Sequence, residues 1–430
     1  MARKSLLSGM LFLLAGFSLL AQNDGSYGQN QGNARFIVFS DPHYYDASLG
    51  TEGKAFEEYL DNDRKLLKES PMILHELVRQ ITASNSEFVL IPGDLTKDGT
   101  RISHEAFSNY LSAIEEAGKE VFVVPGNHDV SNPESFAYRG DEKVLMESVT
   151  ADGFARIYDN YGYGEALYRD PASLSYIAMP VQGVWLLALD ACRYEENVAG
   201  GHPVTGGRLK PETIQWFTNI LQSEEAKSKR IIAMMHHGAL EHYKNQKKYF
   251  GDYVVDDYKK VSKQLAELGI NLVFTGHYHA QDIVKKDFPG GKVLYDIETG
   301  SLVTFPCPYR IITINSDQVK IEAYSLDPEE YPGEFMQYAR DFVWSGIEGI
   351  ARRTLVDMKL KEDEASLLSG QVSDAFIAHY QGDEIRPEKP FNLKGVGALG
   401  RFYISFRKKL VWSLYNDLPP GDNTLVIDLP

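Results

Sequence analysis

Five short polar clusters, each placed beside an apolar run, set the terms on which this 430-residue chain can fold. They are Asp41-Pro42-His43, Gly93-Asp94, Gly126-Asn127-His128-Asp129, His236-His237 and Gly276-His277-Tyr278-His279. The runs before four of them, 36–39, 88–91, 121–124 and 272–274, are β-branched or otherwise apolar and read as strands. Oxygen and imidazole donors therefore collect on loops at the C-terminal ends of strands, where open α/β sheets build their sites.

Between Arg35 and about Asp327 strand and helix patterns alternate, which predicts an α/β domain over residues 35–328. Ser70-Pro71 starts a helix with the stripe Ile73, Leu74, Leu77, Val78, Ile81. Others are expected from near Ser103 to Gly118, from Pro211, and from Asp256 to Gly269. After His279 come strand patterns at 293–297, 309–314 and 319–324. Residues 329–430 read as a mainly helical appendage docked on that domain, with three apolar stripes, the last being Phe402, Phe406, Leu410 and Leu414. Its aromatic residues, Phe335, Tyr338, Phe342, Trp344, Trp412 and Tyr415, suit core or docking surface; a lid or substrate wall is the alternative. A short strand at 424–427 closes the chain.

The first residues, Met1-Ala2-Arg3-Lys4-Ser5, precede a mainly apolar run to Ala21 and then Gln22-Asn23-Asp24. That is the layout of a secretory signal over 1–21, with an uncleaved anchor helix as the rival, and a disordered segment follows over 22–34. Export to a periplasmic or extracellular space is the expectation, without stable membrane insertion once the signal is removed. Two cysteines, Cys192 and Cys307, cannot make a disulfide framework; buried thiols or one bridge remain open. The formal charge of -16 opposes a polyanion, so no nucleic-acid duplex is expected as a partner. A metal site can outweigh that field for a small anion.

Any one cluster alone is an ordinary turn or a stray histidine. Together, in order and after strands, they supply a carboxylate able to bridge two cations and neutral imidazoles that suit Mn, Fe or Zn. Two such cations, about 3.5–4 Å apart, can share a hydroxide and clamp both sides of an in-line displacement at phosphorus. Glycines before Asp94, Asn127 and His277 permit tight turns and close backbone approach.

As a set the five blocks resemble the signature of the calcineurin-like metallophosphoesterase superfamily, and the likeness covers roughly residues 35–327. The resemblance implies a four-layer αββα sandwich of two mixed sheets around two divalent metal ions. By position it implies Asp41, His43 and His279 on the first metal, Asp94 as the bridge, and Asn127, His236 and His277 on the second. His237 then packs beside the centre, with ligation as its alternative. His128 is similar to the family's non-ligand histidine, poised to stabilise phosphoryl oxygens or protonate a leaving alkoxide, and Asp129 is expected to orient it. Purple acid phosphatases carry a tyrosine three residues after the bridging aspartate; Lys97 stands there, so a tyrosinate–iron centre is not expected. Gly238 replaces a proline frequent two positions after the second-metal histidine.

The motif layout is more similar to class III cyclic-nucleotide phosphodiesterases, which favours a small phosphodiester as substrate. A phosphomonoesterase or nucleotidase on the same centre is the runner-up, and an inactive binding or scaffold protein the reading from another class. Tyr44, Asp46 and Asp98 flank the ligand loops and suit outer hydrogen bonding or exposure. His75 and His104 read as helix-surface residues, and His202 sits on a Gly-rich loop, with a place bordering the pocket as its minority reading. Specificity is expected from loops 44–70, 131–175 and 193–208.

Overall fold

The computed structural model describes residues 32–429 apart from 330, 332 and 390. The expected signal at 1–21 and residues 22–31 lie outside these; residue 34, assigned above to the N-terminal segment, is already paired strand. The chain runs β1 (Ala34–Val38), α1 (Lys54–Leu60), α2 (Ser70–Ala83), β2 (Phe88–Ile91), α3 (Arg101–Glu116) and β3 (Glu120–Val123). Next come a hairpin of β4 (Phe136–Arg139) and β5 (Glu142–Leu145), then α4 (Ala151–Ile157), β6 (Tyr168–Arg169), β7 (Tyr176–Val181) and β8 (Val184–Leu189). They are followed by α5 (Pro211–Leu221), α6 (Glu224–Lys227), β9 (Arg230–Met235), α7 (Gln246–Tyr249), α8 (Tyr258–Glu267) and β10 (Leu272–Thr275). β11 (Asp282–Phe288), β12 (Lys292–Glu298), β13 (Pro308–Ile314) and β14 (Gln318–Ser325) precede α9 (Phe335–Asp357), α10 (Glu362–Gln381), α11 (Ala398–Ser413) and β15 (Thr424–Asp428).

Two mixed sheets result. One has the order β15-β14-β13-β1-β2-β3, parallel across β1, β2 and β3 and antiparallel elsewhere. The other is β11-β12-β10-β9-β8-β7-β6, parallel from β12 to β8. Alternate residues of β8 divide the layers: Leu186 and Ala188 enter the core shared with Phe36, Val38 and Leu90, whereas Trp185, Leu187 and Leu189 pack with Phe217 of α5 and Leu265 of α8. α2 and α3 cover the first sheet through Ile73, Leu77, Phe107 and Leu111, completing the expected four layers.

The helix boundaries follow local chemistry. Thr100 caps α3 by accepting from Ser103 N, so the helix starts at Arg101, just before the expected residue. α8 begins at Tyr258 and stops where Gly269, at φ 86°, turns the chain left-handed.

Three expectations need correction. His104 is not a surface residue: it is fully buried, its Nε2 2.9 Å from the Asp129 carbonyl and its Nδ1 2.7 Å from the Tyr158 hydroxyl. The buried face of α11 includes Gly400, Ile404 and Val411, while Phe402 and Phe406 are 56% and 66% exposed; of the expected stripe only Leu414, just past the helix, is fully buried. Apolar residues occupy several faces of that helix, so periodicity could not choose among them. The C-terminal region is also more than an appendage, because β15 pairs with β14 from Glu322 to Gln318 and α9 buries Phe335, Val343 and Ile347 in the main core. Cys192 and Cys307 are both free and buried.

Candidate metal centre

Strand ends deliver the donors, and the backbone bends sharply to do so. Asp41, His43, Asp94, His277 and His279 all adopt positive φ, between 37° and 79°. Such a conformation costs an L-residue on the order of 1–2 kcal/mol. Eleven non-glycine residues among those described have positive φ, and five of them are expected ligands, so strain concentrates where function was expected. Close approach adds to it. A Cβ on Gly126 would stand 2.1 Å from Asp94 Oδ1, and one on Gly276 would stand 2.3 Å from Asp41 Oδ2.

The seven residues meet around Asp94, all buried. Asp41, His43 and His279 bring donor atoms within 4.8 Å of one another, as do Asp94, His236 and His277; both groups could hold a metal ion. Asp94 Oδ2 lies 3.6 Å from His43 Nε2 and 3.4 Å from His236 Nε2, so this carboxylate stands between the two groups. Asn127 Oδ1 is 3.2 Å from His236 Nε2 and joins the second. Ser40 Oγ and His277 N donate to Asp41 Oδ2, and His128 N donates to Asp94 Oδ1, orienting both carboxylates. His236 Nδ1 is turned to the Pro92 carbonyl at 2.8 Å, which aims Nε2 at the centre.

These residues fit cations. Asp41 Oδ1 and His277 Nε2 have no hydrogen-bond partner in the chain, and His43 Nε2 faces His279 Nε2 at 3.1 Å. Burial holds the His43 and His277 imidazoles well below their ordinary range, with Lys65 adding to it at His43 and His237 at His277. Their nitrogens therefore keep lone pairs for a metal. Burial also pulls on His236, but Asp94 and Asp41 outweigh it and hold it up at about 9. Burial pushes Asp94 up, yet His236 and His128 keep it well below the usual carboxylate range.

His128 is partly exposed at the mouth, its Nδ1 3.2 Å from Asp98 Oδ1. The expectation that Asp129 orients it is corrected here. Asp129 is fully buried and accepts from Leu95 N, Thr96 N, Thr96 Oγ1 and Gly126 N, which ties two loops together. Asp98 in turn pairs with the buried Lys97 ammonium, which lies 3.8 Å from the centroid of the Tyr59 ring. His237 packs on His277 with ring centroids 4.4 Å apart and places Nε2 2.9 Å from the Thr205 carbonyl.

A cleft of about 310 Å³ opens above the centre. All three expected loops contribute, through Asn62–Lys65, through Glu134, and through His202 with Thr205. Tyr253, which carried no motif, also lines it. Gly238 explains its placement: Gly238 N donates to the Tyr253 carbonyl, a bond proline could not make, and the Tyr253 ring lies 4.5 Å from His277. Arg64 and Tyr253 also line a second cleft of about 180 Å³, walled by Phe250, Tyr278, Phe376 and Tyr380. The wall from the C-terminal region is thus built by α9 (Ile347, Ile350, Ala351) and α10 (Val372, Phe376, Tyr380), not by the six aromatic residues named above.

Comparison with known proteins places these features. The calcineurin-like phosphoesterase family profile matches residues 34–281. No curated protein matches. Similar solved structures include a dimetal phosphatase from Danio rerio, at 16% identity and TM-score 0.46 over 68% of this chain and 96% of that one. A purple acid phosphatase from yellow lupin seeds is similar at 11% identity and TM-score 0.43, over 69% and 52% of the respective chains. A protein from Thermus thermophilus is similar at 12% identity and TM-score 0.40, over 68% and 99%.

Proposed function

Since the chain belongs to the calcineurin-like phosphoesterase family, we propose that it hydrolyses a small phosphodiester at the centre built around Asp94. It is a metallophosphoesterase, a hydrolase working with two divalent metal ions. In this reading Asp41, His43 and His279 would hold one ion, Asn127, His236 and His277 the other, and Asp94 would serve both. Bound there, the ions supply Lewis-acid stabilisation of phosphoryl charge and an activated water.

The chain's own groups do the rest. His128, steadied by Asp98, reaches the mouth of the centre, where an imidazolium stabilises phosphoryl oxygens and gives its proton to the departing alkoxide. Arg64 and Lys65 line the same cleft and offer cationic contacts to the phosphate.

The observation that carries a diester over a monoester is the pair of clefts meeting at Arg64 and Tyr253. A diester has two organic groups to house, and the aromatic cleft suits an apolar or ring-bearing one. Bis(4-nitrophenyl) phosphate and 4-nitrophenyl phosphate, assayed on metal-reconstituted protein, test this reading. Higher kcat/KM for the diester is expected; a strong monoester preference overturns it in favour of the phosphomonoesterase reading.

Export remains part of the proposal, supported by the basic start, apolar run and polar sequel over residues 1–24. N-terminal sequencing of the protein recovered outside the cytoplasm should begin at or near Gln22. Recovery of the full chain from the cytoplasm would remove the proposal.

A further inference from the structure

A second cluster of buried ligating groups lies beyond the metal centre, where the end of α10 meets the start of β11. Asp282 is 2% exposed, His379 is fully buried and the Glu384 side chain is 1% exposed. Their donor atoms lie within 4.8 Å of one another. We propose that Asp282, His379 and Glu384 hold a third divalent transition-metal ion, which ties the C-terminal helices to the strand leaving the Gly276–His279 loop.

Unpartnered buried atoms within the cluster point to a ligand. Glu384 Oε2 and His379 Nε2 have no hydrogen-bond partner in the chain, although His379 Nδ1 is bonded to the other Glu384 oxygen; Asp282 Oδ1 faces only the His242 imidazole, 3.3 Å away. Buried carboxylate oxygens left in that condition call for a cation or a proton.

The surroundings are short of positive charge. Asp282 stands directly opposite Glu298 in the β11–β12 register, an acid facing an acid. The buried Asp296 and Asp422 lie in the same network. The buried Arg310 guanidinium donates to the backbone carbonyls of Asp422 and Glu298 rather than to carboxylates. His242 is the one histidine committed to these acids, 3.3 Å from Asp282 Oδ1 and 3.2 Å from Asp296 Oδ2.

Two carboxylates and an imidazole form a mixed oxygen–nitrogen set, which suits Zn, Mn or Fe better than a purely oxygen-seeking cation. The placement gives the ion a structural task. Asp282 lies three residues after His279, and Gln281 N already donates to the Tyr380 carbonyl of α10. Tyr380 and Phe376 of the same helix wall the aromatic cleft. An ion here fixes that wall against the loop carrying two of the expected ligands.

The direct test is anomalous scattering from crystals of the full chain reconstituted with zinc, collected above and below the zinc edge. A peak enclosed by Asp282, His379 and Glu384 is expected in addition to those around Asp94. Full peaks at Asp94 with none at the cluster overturn the proposal and leave a proton-sharing network. Metal analysis of dialysed protein gives an independent reading. Wild type should retain three ions per chain and Glu384→Gln two, with an Asp94→Asn variant keeping the cluster's ion. Equal metal content in wild type and folded Glu384→Gln also overturns it.

Discussion

His128 and its two neighbouring carboxylates divide the labour in a way that adjacency in sequence does not reveal. Asp129 follows His128 in the chain but turns inward to four donors, whereas Asp98, thirty residues earlier, faces the imidazole. The clusters were legible because metal chemistry demands fixed residue types beside glycines. Which carboxylate reaches which ring depends on loop direction, and nothing local encodes it. Three substitutions separate the roles. His128→Ala should lower kcat by about 10²–10⁴-fold with both ions retained, the range for loss of a general acid. Asp98→Asn should lower it by roughly 10–100-fold, as outer partners of a site do, and should also lower stability by stranding the Lys97 charge. Asp129→Asn, by contrast, should cost about 1–3 kcal/mol of stability through unmatched buried donors while turnover per folded molecule changes little. Kinetics with metal analysis and denaturant unfolding check all three; a collapse of kcat in folded, metal-loaded Asp129→Asn would restore Asp129 to the catalytic apparatus.

At the scale of elements, the three C-terminal helices were legible as apolar stripes, but their attachment was not. β15 reads in sequence as a short strand without an address, since a strand pattern says nothing about its partner. In the fold it covers β14, leaving that strand no free edge over Gln318–Glu322. α9 and α10 bury Phe335, Val343, Ile347 and Tyr380 against the core of the two sheets. A chain cut after residue 328 should therefore be insoluble or bind a hydrophobic dye strongly, checked by soluble yield and fluorescence. A soluble, monomeric, cooperatively folding product would show that 35–328 is self-sufficient. The misjudged stripe on α11 has its own consequence. Phe402 and Phe406 meet edge to face, with ring centroids 4.8 Å apart, and remain exposed, so Phe402→Ser with Phe406→Ser should shift stability by no more than about 1 kcal/mol, near the ordinary range for surface changes.

For the molecule as a whole, the stacking of two sheets was hidden because strands such as β8 are buried on both faces, which erases the polar alternation that would mark an inner and an outer side. The same stacking brings ligand loops from both sheets to one place, the first sheet giving Asp41, His43, Asp94 and Asn127 and the second His236, His277 and His279. Ions held between the sheet ends therefore join two layers, and their removal is a matter of global stability as well as of activity. Without them the buried Asp41 Oδ1 and five left-handed ligand residues carry strain with no compensating bond. A ligand that binds only the folded state adds about 2.7 kcal/mol at a hundredfold excess over its Kd. Spread over a chain larger than 250 residues, each kcal/mol moves Tm by less than about 2–4 °C. Chelation should thus abolish hydrolysis and lower Tm by several degrees, with both restored on adding Mn or Zn. Far-UV circular dichroism should stay unchanged, because the β-ladders do not depend on the ions. If metal analysis shows complete stripping and Tm does not move, the expected ligands do not clamp the two sheets, and the convergence around Asp94 serves catalysis alone.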